Sequence, residues 1–286
     1  MALAYPWQKI QDWFTQQWVI LWGRRINIQA QDWLIGPIGE LNGIGDNFIY
    51  QLAEKEHLEI RRNQENKGLL ASINVLNLST QQLAHLNLLV INFYEQTANY
   101  NLQLKVKWNP FFKFFAWWVK RLFSNRIQQL NIPMHNTKTG ENLHSEIIHL
   151  YDKATDSIKY TIWFRKNLAT NEVIYSGVYG TCILPNGSTC IKAVFPLPKG
   201  NATVIMKPSI NEHGDLILTS AGKTFGNAGF YFLLKDHKEN YWAQYIKGFR
   251  DTLTIGKRGD TLQAEQILSL YHLQVVKFNY HITNKS

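Results

Sequence analysis

Residues 182–190 read CILPNGSTC. The tripeptide Pro185-Asn186-Gly187 fits a type I turn that ends in a left-handed glycine, which makes a three-residue hairpin loop. That register sets Cys182 directly opposite Cys190. Two cysteines make no disulfide framework. They are expected to be two small apolar residues sharing one face, with a bonded cross-strand pair as the alternative for an exported chain.

Outward from this hairpin, the chain beyond residue 140 alternates short apolar runs with turn residues. Strands are predicted over 145–151, 158–165, 173–184, 188–196, 202–208, 215–220, 229–235, 240–246, 251–256, 261–269 and 274–282. Lys199-Gly200, residues 211–214, residues 226–229 and Arg258-Gly259-Asp260 punctuate them. The segment 240–250 reads almost equally well as helix. Phe278, Tyr280 and Ile282 share one face of the last strand. A meander this long must dispose of its edges, by closing into a barrel or by curling around a helix.

Upstream, the pattern is mostly helical. A first helix over about residues 7–22 sets Trp7, Ile10, Phe14, Trp18 and Leu21 on one side. DNFIYQLAEKEHLEIRR, from Asp46, carries Phe48, Ile49, Leu52 and Ile60 at helical spacing. STQQLAHLNLLVINFYEQ opens with Ser79 and Gln82 in capping-box spacing. Within this half, LQLKVKW (102–108) alternates strictly, as a half-buried strand does. The predicted fold class is α+β: a mainly helical N-terminal half, residues 1–135, packed on or plugging a curved antiparallel β-sheet or β-barrel formed by residues 140–286.

Asn109-Pro110 has the form of a helix start, and NPFFKFFAWWVKRLF follows. Over 110–130 a helical wheel gathers Lys113, Lys120 and Arg121 in one narrow arc with Trp117 among them, while Trp118 and the phenylalanines fill the broad remainder. From Gln96 to Gly140 these 45 residues carry seven Lys or Arg and no Asp or Glu. Two readings stand open. The helix is a core element with a solvated basic side, or its aromatic face lies among anionic lipid headgroups. In the second reading Lys113, Trp117, Lys120 and Arg121 touch the membrane, and Trp7, Trp13, Trp18 and Trp22 of the first helix reinforce the contact.

The totals bound the partners. Thirty Lys and Arg against 21 Asp and Glu give a net charge of +9, which biases the chain toward anionic partners. Aromatics reach 13%, with ten Trp. No window holds the roughly 20 apolar residues a spanning helix requires, and no signal peptide is read at the N-terminus. The expected location is the cytoplasm, peripheral on the inner face of a membrane. Nucleic acid is an unfavoured partner, because the rings are too dense and too helical for a single-strand platform.

No motif declares chemistry. The loop GPIGELNGIGD (36–46) lacks both phosphate-binding patterns. His144 and His149 are one residue too far apart for the helical zinc pair, and no nucleophile elbow exists. No metal and no cofactor are expected. What stands out is polar groups set in apolar strands: Arg165 closing YTIWFR, Glu146 in SEIIHLY and Glu265 in LQAEQILSL, with the hydroxyls of Tyr175, Tyr179 and Tyr231. The expected role is non-catalytic binding of a hydrophobic or lipid-like molecule at an anionic membrane surface. Trp118, Arg165, Tyr175, Tyr179, Tyr231 and Glu265 are its candidate binding residues, with an Arg–Glu pair to orient the polar end of the ligand; the favoured alternative for Arg165, Glu146 and Glu265 is that each points outward or forms a simple ion pair. The alternatives are an isomerase, cyclase or hydrolase acting on an apolar substrate in the same cavity, and a protein-assembly component.

Overall fold

The computed structural model describes residues 10–40, 46–112 and 140–285. In chain order its elements are α1 (Ile10–Trp22), β1 (Arg24–Ile26), α2 (Asp46–Lys55), β2 (Leu58–Arg62), α3 (Thr80–His85), α4 (Leu88–Glu95), β3 (Tyr100–Trp108), β4 (Glu141–Asp152), β5 (Ser157–Asn167), β6 (Val173–Ile183) and β7 (Thr189–Leu197). There follow β8 (Gly200–Ile210), β9 (Leu216–Thr219), β10 (Gly229–Lys235), β11 (Tyr241–Tyr245), β12 (Phe249–Arg258), β13 (Thr261–Leu270) and β14 (Leu273–Asn284).

From β3 to β9 each strand pairs antiparallel with the next; β9 pairs with β12, and β14 returns to β3, so ten strands close a barrel. Closure abolishes the edges that an open meander would leave unpaired. In the closing pair, Phe278, Tyr280 and Ile282 stand opposite Val106, Leu104 and Leu102. All six are buried inside, while Gln103, Lys105 and Lys107 point out. The Cys182–Cys190 register is as the turn dictates, with Gly187 at φ +79°. Both thiols are free and buried, and burial pushes them up to about 11 and about 12.

The α+β expectation is corrected. Strands make up 51% and helices 19%, and the barrel spans most of the chain instead of forming its second half. The helices are N-terminal but short. His57, at φ +57°, breaks the run from Asp46, and Leu58–Arg62 leaves it to pair with the far end of β4. Asn87 splits the 79–96 run: its side chain accepts from the Leu89 amide and so caps a new helix, α4. The capping box at Ser79 and Gln82 is present on α3. Beyond residue 112 the expected 110–130 helix lies outside the described residues.

Before the barrel the chain does two jobs. First it forms a belt on the outer surface. Val19 and Ile20 of α1 pack on Leu234. The carbonyls of Gly36 and Pro37 accept from the Asn201 side chain. Phe48, Ile49 and Leu52 of α2 cover Ile148, Leu150, Ile162 and Phe164. Then it forms a plug: Leu69, Leu70, Ile73, Leu76, Val90 and Phe93 join the interior core with Leu102, Leu104, Ile147 and Phe278. The Asn87 amide donates to the Gly214 carbonyl, tying the plug to the β8–β9 turn. Among the described residues no helix is long and apolar enough to cross a membrane.

Candidate functional site

Inward-facing residues of β5, β6, β12, β13 and β14 meet above the plug around a cavity of about 80 Å³. That is about half the 150 Å³ void that accepts a benzene ring in an engineered core. It has room for a few atoms, or for the end of a larger molecule. Its lower wall is apolar, with Ile191, Val204, Met206, Leu218, Ile255 and Ile282. Its upper wall is polar.

Arg165, paired across strands with Tyr175, is 5% exposed. Its guanidinium lies 4.0 Å from the Trp163 ring and 4.6 Å from that of Tyr175. Trp163 is itself fixed by its indole N–H, which donates to Ser145 Oγ at 2.9 Å. Arg165 Nη2 donates to the Tyr179 hydroxyl at 3.3 Å, and Nε has no partner. Among the described residues no carboxylate forms an ion pair with it. Burial opposes its charge, but the hydroxyl oxygens of Tyr179, Tyr280 and Tyr175 hold it above its ordinary value. Those hydroxyls are pushed up by burial, Tyr280 to about 12. They therefore remain neutral donors near pH 7.

Asp251 is 4% exposed. One carboxylate oxygen accepts from Gln266 Nε2 at 2.8 Å; the other has no partner. Burial pushes this acid up to about 7. The Tyr280 hydroxyl lies beside the Arg165 guanidinium but completes no hydrogen bond. An apolar barrel thus holds, at one level, a stacked cation without a counter-ion, three hydroxyls and an acid that titrates near neutrality. Burying such groups unpaired is costly, so this level of the barrel is not optimised for stability alone.

Of the residues singled out from the sequence, Arg165, Tyr175 and Tyr179 come together here. Tyr231 lies in a separate cluster with Trp33, Phe225 and Tyr245, its hydroxyl donating to the Asn227 carbonyl. Trp33 and Phe225 of that cluster also line a larger, open cleft of about 460 Å³ bordered by Arg24, Arg25 and Asn186, which Tyr231 itself does not line. Glu265 is on the outer surface in an ion pair with Lys277, and Glu146 pairs outside with Arg62. Trp118, Lys113, Trp117, Lys120 and Arg121 lie outside the described residues. Asp251, Gln266 and Tyr280 were not singled out, although a signal exists for two of them. In Phe249, Asp251, Leu253, Ile255 and in Leu262, Ala264, Gln266, Leu268 the polar residue occupies an apolar slot of a period-2 pattern.

Over 193 residues the chain is 28% identical to the "Uncharacterized membrane protein YndJ" of Bacillus subtilis (strain 168); the match covers 66% of this chain and 33% of that protein. The chain thus aligns with about a third of the relative's length. No family model matches it, and no solved structure matches it.

Proposed function

We propose that the barrel binds a small amphipathic, lipid-like molecule without transforming it. The observation that carries this reading is Arg165, a buried guanidinium that lines the cavity and has no ion-pair partner among the described residues. A protein gains no stability from such an arrangement, whereas a binding site uses a few polar groups among apolar walls to orient its ligand. The test is ligand-observed NMR and calorimetry of the full chain against short and medium-chain fatty acids and their neutral analogues. Saturable binding with one site per chain supports the reading, and no binding across the panel removes it.

Its place of action, in this proposal, is the surface of an anionic membrane. The relative from Bacillus is called a membrane protein. The outward residues on this chain's β3 and β14, with Gln103, Lys105 and Lys107 exposed and Lys277 and Asn279 partly so, are unlike the apolar band of a lipid-facing barrel. α1, by contrast, exposes Trp13, Trp18, Leu21 and Trp22, the last at 74%, directly before Arg24 and Arg25. Trp and Arg in that order suit the headgroup layer. Flotation with neutral and anionic vesicles at low and high salt tests it: binding that needs anionic lipid and weakens with salt is the expected result.

One observation favours a second reading. Asp251, with its pKa near neutrality, has the property of a general base in an enzyme acting on an apolar substrate. Asp251→Asn separates the two: an enzyme keeps its ligand and loses turnover, while a binding protein has no turnover to lose.

A further inference from the structure

We infer that the ligand is an amphipathic monocarboxylate whose carboxylate seats on the Arg165 guanidinium and the Tyr179 hydroxyl. This rests on the binding reading above and gives it a chemical class.

The surroundings of the cation decide which acceptor can reach it. Two rings, those of Trp163 and Tyr175, lie 4.0 and 4.6 Å from the Arg165 guanidinium carbon and crowd it. Hydrogen bonds leave a guanidinium only through its edge, in its own plane. Of that edge, Nη2 bonds Tyr179 at the long distance of 3.3 Å and Nε has no hydrogen-bond partner. A planar two-oxygen acceptor fits such an edge with two parallel bonds. The Tyr280 hydroxyl, also without a partner, is a further donor at the same level. Two buried groups, Arg165 Nε and the Tyr280 hydroxyl, thus lack what a carboxylate supplies, and Arg165 Nη2 holds only a long bond.

Charge and size then narrow the class. One cation without an ion-pair partner among the described residues matches one negative charge, and Asp251, a carboxyl lining the same cavity, disfavours a second. The space of about 80 Å³ takes a carboxylate and its first carbons but not a phosphate with its substituent. Beyond the head, the walls are Val204, Met206, Leu218 and Ile255, which favour hydrocarbon over hydroxyls or amines. Met206 is the flexible member of this wall, so a longer tail gains room by its rearrangement.

The experiment uses the full chain with carboxyl-¹³C butyrate and octanoate, set against butan-1-ol and octan-1-ol, in wild type, Arg165→Met, Arg165→Lys and Tyr179→Phe. At least one acid is expected to bind about 10-fold or more tightly than its alcohol. Arg165→Met is expected to weaken that acid by about 10- to 100-fold, the range for hydrogen bonds to a charged group, and to leave the alcohol unchanged. Arg165→Lys, which keeps the charge and loses the fork, falls between, and Tyr179→Phe costs a few-fold. The bound acid's ¹³C signal stays at its ionised position at a pH where the free acid is half protonated. Should Arg165→Met fail to fold, the Lys and Phe variants carry the same test. Alcohols binding as well as acids, with no dependence on residue 165, overturn the carboxylate and leave the binding reading intact. If neither acids nor alcohols bind wild type, both fall.

Discussion

Among the described residues three aspartates are buried, Asp215, Asp236 and Asp251, and the fold treats the first and the last in opposite ways. Asp215, at the β8–β9 turn, has a side chain only 2% exposed, but Arg258 forks onto both its oxygens at 3.0 and 2.9 Å. Asn211 adds a third bond at 3.0 Å. The guanidinium holds this acid below the usual carboxylate range. Asp251, inside the barrel, has one amide for company, and its pKa rises. The first acid is a fastener: its desolvation is offset by partners supplied from the same fold. The second is a buried acid that the fold has not compensated, and an arginine on the same cavity wall is uncompensated too. Where a structure satisfies one buried ion completely and leaves others unsatisfied in one small volume, the unsatisfied ones point to function.

The largest effect expected from breaking this comparison is at the fastener. Arg258→Ala strands the Asp215 carboxylate and should cost about 3 kcal/mol, the lower end for breaking a buried pair, because Arg258 is half exposed. Urea denaturation at pH 7 measures it. Asp215 has a lowered pKa in the fold, so the stability it contributes is present above its ordinary 3.8 and is lost as pH falls through the lowered value. The variant should therefore converge on wild type in strong acid. A loss below about 0.5 kcal/mol, typical of an exposed pair, would mean that the two aspartates differ less than their geometry implies.

Asp251 should behave with the opposite sign. Its folded pKa, about 7, lies above the unfolded value of 3.8. Between those two values the folded chain holds a proton that the unfolded chain releases, so stability falls as pH rises from about 4 to about 7 and stays reduced above that. Asp251→Asn abolishes the penalty. It should stabilise the protein on the order of 2–4 kcal/mol at pH 8 and almost not at all at pH 4. Equal gains at both pH values would show that the acid is not the cause. Arg165→Met is expected to move stability by about 1 kcal/mol or less in either direction, since exchanging a buried charge for an apolar side chain of similar length is often neutral. A loss of 3 kcal/mol or more would make Arg165 a structural group.

How far this was legible in the sequence depends on what sets each feature. The strands after residue 140 are legible because alternation and turn residues are local. The Cys182–Cys190 register follows from Pro185-Asn186-Gly187 alone. Closure is not local: β14 finds β3, which is far away in the chain, and nothing near residues 102–108 announces that partner. Nor is the fate of Leu58–Arg62, whose helical spacing loses to a free length of β4. The site divides in the same way. Arg165, Tyr175 and Tyr179 stand out as polar groups in apolar strands, but which acid shares their cavity depends on the phase of two distant strands.

That phase gives the smallest effect and the sharpest check. Glu265 and Gln266 are neighbours on β13, and successive residues of a strand face opposite sides. Glu265 stands opposite Thr254 on the outer surface, and Gln266 opposite Leu253 inside. The glutamate, though the more conspicuous residue in LQAEQILSL, meets only Lys277 in water. Glu265→Gln should therefore change stability by less than about 0.5 kcal/mol, the range for an exposed ion pair, and leave ligand affinity and the pH dependence of unfolding untouched. Gln266→Leu, one residue on, removes the single bond to Asp251 and should push that acid's titration further up, steepening the loss of stability near neutral pH. If the two substitutions gave the same pH profile, the inward phase of β13 would be misassigned and the isolation of Asp251 with it.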